Sequence, residues 1–262
     1  MVRPFCTTVV LALAAMSAAL PAAANPLFPN SIVSNDLEFI TEADDHVFRC
    51  LSFDGRDRRE MPDKRGGDLF ADQTYVFTAR YGDGTSVGIW AHPDFRSQAR
   101  AQGYAETVAE AVGKLPTVMR RVLDHVVIHV GDETAFGEDQ GHFFVLYSDN
   151  IDTRVRNHDI QETVFHESVH ATLDAEHARS GAWQRAQQGD GGFITDYAAN
   201  NPNREDMAES ALFAFTMMTH PGRLPAEVEA RVRQVMPNRL AFFEGIFSGP
   251  VFRQVAEPQG CS

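Results

Sequence analysis

The chain is short of positive charge and of cysteine, and each shortage excludes a class of function. Its 23 lysines and arginines stand against 36 aspartates and glutamates, a formal net charge of −13. A nucleic-acid binder needs the reverse, with basic side chains gathered on one face. The acidic balance names no substrate, because a solvated acidic surface accounts for it. None of the three cysteines sits in a CxxC pair or a cluster, which argues against a thiolate metal site. No apolar run is long enough for a stable membrane span, and neither an internal repeat nor a low-complexity domain is present.

What is present begins with an export pattern. Arg3 gives a positive start, Val9–Leu20 is almost wholly apolar, and Ala22, Ala23 and Ala24 offer small residues before Asn25. Residues 1–24 therefore read as a signal peptide, and the protein as periplasmic or extracellular. Cys6 falls inside that segment. Cys50 and Cys261 remain, and in an oxidising compartment they can form one bridge from the early β-rich region to the C-terminus. Two free thiols are the alternative.

The first part of the chain reads as strands. Leu37–Ile40, Val47–Phe53, Gln73–Arg80 and Ser86–Ala91 carry the pattern, the last two flanking a YGDG turn, and the charged stretch Asp54–Asp68 reads as a loop. From Phe95 to Leu115 the spacing of Ala101, Tyr104, Val108, Ala111, Val112 and Leu115 predicts a helix with one buried stripe. Val126–Val130 and His142–Tyr147 read as strands around a GDETAFGEDQG loop. Helices are then expected over Asp159–Ala178, Asn203–His220 and Glu227–Val235, with a flexible GDGGF connection between the first two.

The first of these helices contains HESVH. His166 and His170 are four apart, so one helical turn puts both imidazoles on one side, and Glu167 lies beside the first. That is the short motif of metal-assisted hydrolysis, with the histidines as ligands and the glutamate as general base. Five positions can also match by chance. A catalytic zinc needs a third protein ligand and a position open to water. Glu205, in EDMAE, is the first candidate; Asp196 and Glu176 are the others. Glu209 and Asp174 could accept the outer N–H of a ligating histidine, or simply solubilise helix surfaces. His125 and His129, in HVVIH, share a strand face and suit core or hydrogen-bonding places better than a second metal site. His142 could border a cleft. Phe143–Tyr147 could flank an extended peptide or lie fully buried.

HESVHATLD followed by DYAANNPNREDMAES resembles the gluzincin class of zinc metallopeptidases, and within it the catalytic region of anthrax lethal factor-like enzymes. The resemblance covers about 50 residues, from the active helix to Ser210. It implies an α+β, zincin-like fold with a catalytic domain over 95–262; the β-rich portion over 25–94 is read from its strand patterns alone, since the residues before Phe95 carry no signature of the family. The resemblance implies one Zn2+ held by His166, His170 and Glu205, with Glu167 as base and Tyr197 near the substrate oxyanion. The implied substrate is a peptide or protein. The metzincin pattern fails, because Leu173 and Glu176 stand where its glycine and third histidine belong, and the aspzincin pattern is matched only at Asp196 and Tyr197. Two other readings remain: an exported zinc-containing binding protein without catalysis, and a metal-free α+β protein.

Overall fold

A computed structural model describes residues 26–249; the expected signal segment and Cys261 lie outside them. The structure is α+β, built on one six-stranded mixed sheet. Its strands are β1 (Phe48–Glu60), β2 (Phe70–Tyr81), β3 (Ser86–Ala91), β4 (His125–His129), β5 (Phe136–Glu138) and β6 (Phe143–Tyr147). They lie in the order β1-β2-β3-β4-β6-β5. The β1, β2 and β3 ribbon is antiparallel, β3, β4 and β6 run parallel, and the short β5 returns antiparallel along β6 as an edge. The stretches expected as two portions, 25–94 and 95–262, thus both supply strands to this sheet.

Period-two alternation divides the sheet's residues between two layers. Ile89, Ala91, Val126, Ile128, Phe144 and Leu146 pack on the helical side in the main core. Val127, Val145 and Tyr147 turn the other way and meet Met61 and Ala71 from the far end of the β1–β2 ribbon. Against the main core lies α1 (Gln98–Val112), which buries Ala101, Ala105, Val108, Ala109 and Val112 and is capped by the Ser97 hydroxyl. A short α2 (Thr117–Arg120) follows Pro116, and its buried Arg120 pairs with Asp83 in the β2–β3 turn at 2.6 Å. Then come α3 (Ser148–Arg156), α4 (Ile160–Thr172), α5 (Gly181–Gly189), α6 (Asp196–Asn200), α7 (Asp206–Thr219), α8 (Ala226–Val235) and α9 (Pro237–Ile246). Every residue of α4 is buried, so this helix is the centre of the fold and not a surface helix. Among the described residues no helix is long and apolar enough to cross a membrane.

Several expectations change. Leu37–Ile40 is not a strand. Phe39 and Ile40 are buried, but the Phe39 N–H donates to Glu162 at 2.8 Å and its carbonyl accepts from Thr216 and Arg223. Side chains thus satisfy the backbone groups that a ladder would have used. The charged stretch from Asp54 to Glu60 is strand, not loop, because β1 continues past the core as a polar ribbon on β2. There Arg56 lies over Tyr75 and Arg58 over Phe70, 4.3 and 4.5 Å from the ring centres. Strand β5 interrupts the expected GDETAFGEDQG loop, and α3, α6 and α9 were not expected. Past Thr172 the helix turns into a wider π turn over Asp174–Ala178. Cys50, on β1, is disulfide-bonded; the expected partner falls outside the described residues.

Candidate metal centre

Helices α4 and α7, which bring HESVH and Glu205 together, are held in place for different reasons. Helix α4 is fixed by its apolar residues Val164, Phe165, Val169 and Ala171 in the main core, with Phe165 against Phe215 of α7 at 4.9 Å. Helix α7 is fixed at its start by charge. Arg239, fully buried on α9, pairs with Asp190 at 2.8 Å and with Asp206 in the first turn of α7. Losing one partner of such a pair leaves a buried uncompensated charge. Glu205, the residue just before α7, is thereby held against α4.

There His166 Nε2 and His170 Nε2 lie 3.3 Å apart, and Glu205 Oε2 lies 3.5 and 3.2 Å from them. These three atoms form a buried group that could hold a metal ion. The triangle has the right size: ligand atoms about 2.0–2.1 Å from a tetrahedral centre are about 3.3–3.4 Å from one another. Electrostatics agree. Burial pushes the His170 imidazole down, but Asp174 and Glu205 pull harder, and it rises to about 10. His166 is also raised, with Glu205 the main cause opposing burial, while the two imidazoles hold Glu205 well below the usual carboxylate range against its own burial. Two imidazoles and a carboxylate thus converge where positive charge is favoured.

The outer nitrogens differ. His170 Nδ1 faces Asp174 Oδ2 at 2.7 Å, an acceptor one turn along the chain. Among the described residues His166 Nδ1 is buried without a hydrogen-bond partner, and the Glu209 Oε1 carboxylate oxygen lies 3.6 Å from it. Glu167 and Tyr197 line the same cleft of about 350 Å³, together with Gly137, Asn201 and Arg204. Tyr197, 39% exposed, is pushed up to about 12 by burial and by the neighbouring Glu205 carboxylate. Asp196 and Glu176 are exposed and outside the metal-ligand group.

Strand β5 forms the wall facing the helix. A Cβ on Gly137 would sit 2.4 Å from the Glu167 carbonyl oxygen and 2.7 Å from the His170 Cβ, so glycine is what permits this approach. Lys64 secures the strand's start, donating to Thr134 and to the Ala135 carbonyl at 3.0 and 2.9 Å. Arg204, 74% exposed, reaches over Glu205. Sequence reasoning overlooked all three; the glycine of AFGED, inside the stretch read as a loop, was the available signal for the first.

The other histidines lie elsewhere. His125 is stacked between Trp90 and Phe143, and His129 lies between His92 and Tyr147, on the sheet face away from α4. Burial lowers both imidazoles. His142 donates from Nδ1 to the Ala171 carbonyl at 2.9 Å, fastening the end of α4. No family profile, curated protein or solved structure matches this chain.

Proposed function

We propose that this protein is a zinc-dependent peptide hydrolase of the gluzincin kind, with one Zn2+ held by His166, His170 and Glu205. The observation that carries the reading is the triangle of two Nε2 atoms and one carboxylate oxygen with edges of 3.3, 3.2 and 3.5 Å. Its nitrogen and oxygen donor set suits zinc. When bound, zinc supplies Lewis acidity that makes a water nucleophilic near neutrality and polarises a carbonyl.

The chain's own residues supply the rest. Glu167, beside the first histidine and on the cleft wall, accepts the proton of the attacking water and returns it to the leaving nitrogen. Tyr197, whose phenol stays protonated near neutrality with its value at about 12, donates a hydrogen bond where charge develops on the carbonyl oxygen. Among the described residues, strand β5 pairs with β6 along one side only. Its other side can take an extended peptide as an added strand.

Export would put such an enzyme among extracytoplasmic peptides, and the acidic surface requires no nucleic-acid partner. The test is cleavage of a varied peptide library by zinc-loaded protein. Cleavage should stop on treatment with 1,10-phenanthroline and return with added zinc. Zinc uptake without cleavage of any peptide would favour the noncatalytic binding protein instead.

A further inference from the structure

The segment ahead of the sheet is hydrogen-bonded to α6, α7 and α4, and its contacts are polar where the site is. Leu27 and Phe28 donate to the Ile194 carbonyl, and the Phe28 carbonyl accepts from Asp196, the first residue of α6, which carries Tyr197. Three residues on, the Ser31 hydroxyl donates to Glu209 Oε1 at 2.6 Å and the Ile32 N–H donates to Oε2 at 2.8 Å. Glu209 is fully buried. Each of its oxygens therefore has one donor from the strap, and the carboxylate cannot rotate without breaking both.

What the fixed carboxylate faces is His166 Nδ1, the buried nitrogen with no hydrogen-bond partner. A histidine that gives one nitrogen to a metal carries its proton on the other, and that N–H needs an acceptor to set the ring's orientation and basicity. His170 finds its acceptor locally in Asp174. For His166 the acceptor comes from another helix, and a third segment must aim it.

We propose that Ser31 is a positioning residue of the metal centre, which with the Ile32 N–H sets Glu209 as the acceptor for His166. The N-terminal strap is then part of the metal site and not only a cover on the core. This inference rests on the metal reading above.

Zinc affinity, measured by competition with a chromophoric chelator, tests it in the full chain. The Ser31→Ala variant should bind zinc about tenfold more weakly, the low end of what losing an outer-shell partner costs. The Ser31→Thr variant keeps a hydroxyl and should restore the wild-type value. A double-mutant cycle with Glu209→Gln reports what a merely structural role would not: in that background Ser31→Ala should change affinity by less than about twofold, because its route to the metal is gone. Unchanged affinity in Ser31→Ala, or independent losses that add in the double variant, overturns the role of Ser31. A wild-type chain that takes up no zinc overturns the metal reading itself, and with it this inference, so the two failures are told apart.

Discussion

On the proposed mechanism, the Glu167→Gln variant should bind zinc as the wild-type chain does and lose about a thousandfold in kcat/KM, the middle of the range for removing a general base. Glutamine preserves the size of the side chain and its place on the cleft wall, but it cannot take a proton from water. Because Glu167 stands outside the group formed by His166, His170 and Glu205, zinc affinity should hardly change. The measurement pairs metal content with steady-state kinetics on a peptide found in the library screen. Full retained activity would remove Glu167 from the mechanism. Loss of zinc along with activity would make it a ligand.

The Gly137→Ala variant should damage fold and site together. The added methyl would meet the Glu167 carbonyl oxygen at 2.4 Å, the His170 Cβ at 2.7 Å and the Ala171 nitrogen at 3.3 Å. Two of these are backbone atoms of α4 and cannot swing aside like the end of a side chain. Strand β5 is held to β6 along one edge while this face meets the helix, so either the strand leaves the sheet or the helix moves. Overpacking of this kind costs about 1–3 kcal/mol, or roughly 2–4 °C in Tm per kcal/mol for a chain of this size. Zinc affinity should fall as well, because a displaced strand opens the wall facing the site and a displaced helix carries His166 and His170 with it. Gly103, on α1, has open space where a Cβ would go, and Gly103→Ala should be neutral or stabilising by up to about 1 kcal/mol. Thermal unfolding and zinc competition on both variants decide it. A Gly137→Ala protein with wild-type Tm and affinity would contradict the close approach of strand and helix.

The parts of this site that were legible in the sequence are those set by spacing along one helix. His166, Glu167 and His170 follow from a turn of 3.6 residues, and Asp174 from one turn more. Glu205 was legible as one of several carboxylates; the salt bridges of Arg239, which fix the start of α7, single it out in space. Strand β5 was hidden because three residues with a glycine at the centre carry no alternation to read. The Asp54–Glu60 extension was hidden because both faces of a ribbon outside the core are polar. Leu37–Ile40 misled for the opposite reason: its apolar residues are buried, but their backbone groups are satisfied by Glu162, Thr216 and Arg223. Burial pushes Glu162 up to about 8 even so, against the N–H groups of Phe39 and Ile40 that bind it. Contacts of this kind join residues more than a hundred positions apart, and no local pattern records them.

The proposed function requires that His166, His170 and Glu205 together bind zinc. Diffraction from crystals of the zinc-loaded protein, with data at and below the zinc absorption edge, should show one anomalous peak. It should lie about 2.0–2.2 Å from His166 Nε2, His170 Nε2 and a Glu205 carboxylate oxygen, with Glu167 outside the coordination shell and a position open to the cleft. A peak bound by other residues, or occluded imidazoles with no peak between them, would contradict it.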